Sequence, residues 1–332
     1  LRPETLDLLA CPACHAERPF TLTADRTDDS GDVLDGTLRC GQCSAAFPIS
    51  GRVPRFVQAA DNYCGNFGYQ WERWRTIQID RLAGHQLSET RFLNDSQWDR
   101  SWLRGKLILD AGCGAGRFTD VAASLGARVI SCDLSGAIDS CRETTAVHGA
   151  GVECLQASLF DLPLRPGIFD GIFCMGVIQH TPDPARVIRT LPGFVKPGGR
   201  LAYNFYEEGV WRRLQFIKYF LRLFTPHLSP EAILKLSRGL VGFFFPLTRT
   251  LSRIRKIRII NHFIPIAASH DPVLDPDQQY EWTLLDTFDW YSPVYEKRQR
   301  YREVASMVEE AGMIDIDAAP GLVRATRPQP WS

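Results

Sequence analysis

The sequence predicts an α/β protein: a doubly wound sheet with a small cysteine-bound domain ahead of it and a helical insertion towards its end. Three observations predict this. "KLILDAGCGAGRFTDVA" climbs as a strand to Asp110, sets glycines at 112, 114 and 116, and then turns helical; a glycine-rich turn between strand and helix receives a nucleotide. Apolar strand runs and helical runs alternate on from that turn, the pattern of a parallel sheet covered by helices. Upstream, "CPAC" at 11–14 is answered by "CGQC" at 40–43, and two such pairs supply the four corners of a tetrahedral metal site.

The chain has 332 residues, with 38 Lys plus Arg against 38 Asp plus Glu. No global field draws it to nucleic acid, although a local basic patch remains compatible with this balance. The opening "LRPETLDLLACPACH" lacks a basic head followed by a long apolar run, so no secretory signal is expected. "GLVGFFFPL" is far shorter than the ~20 residues of a membrane-spanning helix. The ten cysteines, spaced for metal more than for disulfides, point to a reducing, cytoplasmic setting.

Residues 1–57 read as a ribbon. "PFTLTA" and "GTLRC" are strands on either side of the polar turn "DRTDDSGD". Cys11, Cys14, Cys40 and Cys43 leave no open coordination position, so zinc here would be structural. "LDLLACPACH…LRCGQCSAAFPISGRVPRFV" resembles the small zinc-ribbon domains of the Trm112/UPF0434 type, whose relatives activate separate methyltransferases or stand fused ahead of one.

The glycine turn does not fit a dinucleotide fingerprint, whose third glycine would fall at 117, where the chain has Arg117. Its alternating Asp-x-Gly-x-Gly-x-Gly resembles motif I of the class I S-adenosylmethionine (SAM) methyltransferases. The resemblance implies a Rossmann-like, seven-stranded methyltransferase sheet over residues 105–206. It also implies cofactor contacts from Asp110, Gly112, Gly114, Gly116 and Arg117. "ARVISCDLS" ends a strand at Asp133, placed to accept bonds from ribose hydroxyls, with Leu134 beside it. In "VECLQASLFDLPL" the family's adenine-binding aspartate is replaced by Ser158, with Asp161 as a substitute and Leu159 against the ring. "FDGIFCMGVIQHTPDPARVIRTLPGFVKPGGRLAYNFY" resembles motifs IV and V, and Cys174 joins the implied cofactor contacts.

Residues 58–104 precede the core. Their aromatic-rich "NFGYQWERWRTIQID" resembles a segment that covers the cofactor in methyltransferases of this layout, which nominates Gln70 and Trp71. After the fifth core strand, residues 207–280 read as helices punctuated by Pro226, Pro230 and Pro246, with Ser229 as a cap. Their basic excess suits a solvated lid, an anionic substrate or a peripheral membrane contact. Residues 281–332 complete the fold with a helix ending at Gly312 and a final strand, and "DWYSPVY" reads as a substrate-facing loop.

The reading is methyl transfer from SAM to a small-molecule acceptor such as a sugar, a lipid-linked compound or a natural-product intermediate. His180 is the first candidate base, with Tyr291, Tyr295 and Asp289 as further candidates. An rRNA or tRNA base methyltransferase and a non-catalytic SAM-binding activator are the alternatives.

Overall fold

The computed structural model describes residues 1–57, 63–209, 215–252, 261 and 263–329. The N-terminal part is a four-stranded antiparallel sheet of β1 (Phe20–Thr27), β2 (Val33–Cys40), β3 (Ala46–Ser50) and β4 (Val53–Pro54). Its apolar side chains Leu9, Val33, Leu38 and Ile49 do not make a core of their own; they share one with Leu155, Leu159 and Leu164 of the larger sheet. A ribbon this small buries too little to stand on packing alone.

Helices α1 (Gly65–Arg73), α2 (Asp80–Ala83), α3 (Leu87–Ser96) and α4 (Arg100–Leu103) lead into the core. There β5 (Leu107–Ala111), α5 (Arg117–Ser124), β6 (Arg128–Asp133), α6 (Ala137–Thr144), β7 (Val152–Gln156), β8 (Phe169–Met175), α7 (Pro184–Thr190) and β9 (Val195–Asn204) alternate as expected. The insertion follows with α8 (Phe216–Leu221) and α9 (Pro230–Ser252), and α10 (Pro276–Tyr291) and α11 (Tyr301–Glu310) come next. The chain closes with two strands where one was expected, β10 (Ile314–Ala319) and β11 (Leu322–Thr326).

The seven-stranded sheet runs β10-β11-β9-β8-β5-β6-β7. Neighbours from β9 to β7 are parallel, while β11 is antiparallel to both β9 and β10. β5 pairs with β6 on one side and β8 on the other, so the strand order reverses at the carboxyl end of β5, where doubly wound sheets open a crevice. The strand β7 would be an exposed edge, but the ribbon covers it. Arg55 bridges Gln156 in parallel, and the Phe56 N–H donates to the Gln156 carbonyl at 2.8 Å. Covering the edge removes a template for pairing with other chains.

In the insertion Ser229 caps α9 as expected, accepting from the Ala232 N–H at 3.3 Å. Pro246 does not end a helix: α9 runs through it to Ser252. Proline removes one helical bond and crowds the preceding turn. The buried face formed by Ile233, Leu234, Val241 and Phe245, packed with Leu284, Leu285 and Phe288 of α10, outweighs that loss. Most of the basic run 249–258 lies outside the described residues. Among the described residues no helix is long and apolar enough to cross a membrane.

Candidate functional site

The first site is the cysteine cluster. Each Cys-x-x-Cys pair closes the same tight turn: the His15 N–H donates to the Cys11 carbonyl at 2.8 Å, and the Ser44 N–H to that of Cys40 at 2.9 Å. His15 and Ser44 follow with φ of 59° and 61°. The four sulfurs lie within 4.8 Å of one another, with Cys11–Cys43 and Cys14–Cys40 both at 3.7 Å. Zinc–sulfur bonds of ~2.3 Å in a tetrahedron set sulfur–sulfur edges of about 3.8 Å. The donor set fits zinc.

The second site is a cleft of about 320 Å³ above the carboxyl ends of β5 and β8. One wall is the glycine turn. Gly112, Gly114 and Gly116 all have positive φ, and the Gly114 N–H donates to Asp133 Oδ2 at 2.9 Å. The other Asp133 oxygen accepts from the Ser135 N–H and hydroxyl, at 2.8 and 2.7 Å. These three bonds aim the carboxylate at the rim and leave it a lone pair to offer, since a carboxylate has about four. Leu134 and Leu159 flank it as apolar surfaces. Helix α1 closes the top. Trp71 lies so close to the turn that a Cβ on Gly114 would come within 3.0 Å of its Nε1, and the buried Gln70 Oε1 has no hydrogen-bond partner among the described residues. A bare-backbone cradle, a rim carboxylate, apolar slabs and an orphaned acceptor are what SAM, with its ammonium, hydroxyls and adenine, requires. The residues fit that cofactor.

The opposite wall belongs to α10, β9 and the segment after β8. His180 is buried, with its ring edge-on to Phe67 and Tyr206, centroids 5.2 and 5.5 Å away. Its Nδ1 lies 3.0 Å from the Tyr295 carbonyl, which can only accept, so Nδ1 carries the proton and Nε2 keeps its lone pair. Burial holds His180 below its ordinary pKa, leaving it neutral. Asp289 accepts from Tyr206 Oη at 3.1 Å and from Gln70 Nε2 at 3.3 Å. One turn earlier Asp286 also lines the cleft. Burial, reinforced by the Asp289 charge and opposed by Arg117 and Arg91, pushes its carboxyl up to about 7. Arg117 is pushed down to about 9, first by burial and then by Arg91. Its guanidinium sits over the Phe118 and Trp282 rings and donates to Ser88 Oγ at 2.9 Å.

The cleft thus brings together Gln70, Trp71, Gly112, Gly114, Arg117, Asp133, Leu134, Leu159, His180 and Asp289. Other expectations need correction. Asp110 is sealed beneath the turn, where it accepts from Thr119 Oγ1 at 2.6 Å and braces the start of α5. Gly116 packs against Cys141 and Thr144 behind the cleft. Cys174 is wholly buried inside β8. Ser158 accepts from the Phe160 N–H at 3.2 Å within its own turn, and the exposed Asp161 pairs with Arg186 at 3.3 Å. Asp289 to Tyr291 form the last turn of α10 and not a loop. Tyr291 faces away from the cleft, donating its hydroxyl to the Pro265 carbonyl at 2.8 Å. Tyr295 contributes its backbone oxygen to His180 while its ring packs edge-on against Tyr63.

Asp286, Tyr206 and Arg91 escaped the sequence reading. Asp286 and Asp289 are three apart, a spacing that shares one helix face, but that signal speaks only once the segment is taken as helix. Arg91 has no local signal, because only the fold brings α3 to the cleft.

Residues 109–203 match the family model described as "Methyltransferase domain", and residues 2–51 match "Trm112p-like protein". A ubiquinone biosynthesis O-methyltransferase of Xanthomonas euvesicatoria is 38% identical over 131 residues, covering 39% of this chain and 54% of that protein. One from Aliivibrio fischeri is 28% identical over 200 residues, covering 54% of this chain and 85% of that protein. The chain thus spans about half the length of the first of these relatives. A solved complex of the Haloferax volcanii Trm112 methyltransferase activator with its putative methyltransferase is 14% identical, covering 80% of this chain and 99% of that one at a TM-score of 0.43. Residues 109–203 are thus similar to methyltransferase domains, and residues 2–51 ahead of them to Trm112p-like proteins.

Proposed function

We propose that the protein is a SAM-dependent methyltransferase acting on a hydroxyl of a small-molecule acceptor, in the cytoplasm. The observation that supports this most directly is the cleft itself, with a nucleotide-sized cradle on one wall and, on the other, the buried imidazole of His180, whose Nδ1 is taken by the Tyr295 carbonyl. The names of the relatives, O-methyltransferases of a small molecule, support the same reading. In it residues 1–57 brace the core, residues 58–104 roof the cofactor, residues 105–206 hold it, residues 207–280 cover the acceptor, and residues 281–332 complete the sheet.

SAM, when bound, supplies an electrophilic methyl group on a sulfonium. The chain's residues do the rest. The glycine turn, Asp133 and Leu159 hold the nucleoside end. Gln70 and Trp71 close over it and exclude water. An acceptor hydroxyl donates to His180 Nε2, and its oxygen gains nucleophilic character as the proton passes to the imidazole. The resulting imidazolium is supported by the Tyr295 carbonyl at Nδ1 and by the Asp289 charge nearby. Holding the two reactants in line is the larger part of the catalysis.

Two measurements test the reading. Methyl-labelled SAM incubated with fractionated host extract should place label in small molecules; label confined to RNA or protein would refute the acceptor class. The pH profile tests the base. His180 must be neutral to act, so activity falls as pH drops through its pKa. Because burial holds that value below the ordinary ~6.5, the acid limb should lie below that point. His180→Gln should lower kcat by about 10²–10⁴-fold with little change in SAM affinity, and Asp286→Asn should leave the limb in place. A limb near 7 that disappears in Asp286→Asn would transfer the role of base to Asp286.

A further inference from the structure

Beside the acceptor wall lies a second chamber of about 490 Å³ to which methyl transfer assigns no task. Tyr206 and Trp290 line both spaces, so the two adjoin. The charged groups on the chamber wall are Lys218, Arg298 and Glu207. Lys218, on α8, is 1% exposed. Its ammonium lies 2.9 Å from Glu296 Oε2 and otherwise faces rings, with Nζ 4.6 Å from the Trp290 centroid and 5.3 Å from that of Tyr219. An ammonium has three N–H donors, and among the described residues Glu296 is its one carboxylate partner. Arg298 donates from Nε to Tyr219 Oη at 2.9 Å and to Glu296 at 3.2 Å. Among the described residues its two terminal nitrogens make contacts of 3.3 Å to the Glu207 carbonyl and 3.5 Å to Gln215 Oε1, near the weak limit of hydrogen bonding.

Among the described residues the ion pairs set one carboxylate against three cations. Glu296 is shared by Lys218, Arg222 and Arg298. The Glu207 carboxylate is occupied by backbone, accepting from the Tyr301 N–H at 3.1 Å and the Gly321 N–H at 2.9 Å. Buried positive charge is expensive unless it is paired. Its survival at the wall of a chamber next to the acceptor cleft calls for a partner that arrives from outside. The geometry points to a subsite for an anionic oxygen group, a phosphate or a carboxylate, carried by the acceptor beyond its methylated hydroxyl and received by Lys218 and Arg298. The inference rests on the cleft being the acceptor site. Arg298 offers the planar fork that matches either oxyanion, and Lys218 a point charge.

Calorimetry on the SAM-loaded full chain at low salt, with phenyl phosphate, benzoate and neutral benzyl alcohol as probes, tests this without turnover. At least one anion should bind more than about tenfold tighter than the alcohol, as expected of charge-assisted bonds; whichever anion binds tighter identifies the source as phosphate or carboxylate. Lys218→Met should erase that preference while SAM affinity stays within about twofold, well under the 1.4 kcal/mol of a tenfold change. Equal binding of anions and alcohol to the wild type would overturn the inference, and this comparison needs no variant to fold. So would a Lys218→Met or Arg298→Gln protein that binds SAM normally and keeps the full anion preference. Because SAM binding and label transfer are measured separately, loss of the subsite leaves the methyltransferase reading standing.

Discussion

Gly114→Val should abolish SAM binding. Gly114 holds φ +54°, and a Cβ there would come within 3.0 Å of Trp71 Nε1 and 3.2 Å of its Cε2. A β-branched residue resists positive φ, a strain of about 1–3 kcal/mol. Relieving it rotates the N–H that donates to Asp133, so the cradle and the rim carboxylate are lost together. The expected fall in affinity is at least about a hundredfold, or ~2.7 kcal/mol. Gly105→Val is the control. Gly105 also has positive φ, +71°, but nothing lies within 4 Å of its would-be Cβ; the variant should lose stability and keep SAM affinity. Calorimetry showing wild-type SAM binding in a folded Gly114→Val protein would refute the cofactor site.

Zinc removal should weaken SAM binding at a distance. Elemental analysis should find about one zinc per chain, since structural sites of this kind supply the folding free energy of small ribbons. The ribbon grips both ends of the segment that follows β7. Phe56 binds Gln156, the Ala10 N–H donates to the Pro163 carbonyl at 3.1 Å, and the Arg165 N–H donates to that of Leu8 at 2.9 Å. Between those anchors lies Leu159, part of the cofactor wall and of the core shared with the ribbon's Leu9, Leu38 and Ile49. Chelation, or Cys40→Ser, should loosen this segment and lower SAM affinity by about tenfold or more. Hydrogen exchange should show the ribbon opening in parallel. Unchanged SAM affinity in zinc-free protein with an open ribbon would break the proposed coupling.

Much of the cofactor half was legible in the linear sequence because its signals are local. Glycines at 112 and 114 are read from a turn that needs a bare backbone, and Asp133 from its place at the end of the next strand. The cysteine pairs announce themselves by spacing alone. The same local reading could not foresee where a residue type that met its motif also bonds its neighbours. Asp110 and Ser158 are the clear cases, one bonded to Thr119 and the other closing its own turn. Pro246 was read as a stop because proline disfavours helix locally, whereas the packing of α9 on α10 is a non-local gain.

The wall that carries His180 shows the limit. His180, Tyr206, Gln70 and Asp289 come from four separate stretches of chain and meet only in the folded protein. Strand order, the register of the ribbon on β7, and the face that α10 turns to the cleft all depend on contacts between distant residues. Local chemistry determines which turn can cradle a nucleotide and which cysteines can share a metal, because backbone sterics and ligand spacing act over a few residues. Which carboxylate is buried beside another, which imidazole nitrogen keeps its lone pair, and which lysine is walled in by rings were decided by the tertiary structure, because desolvation and electrostatics depend on everything packed around a group.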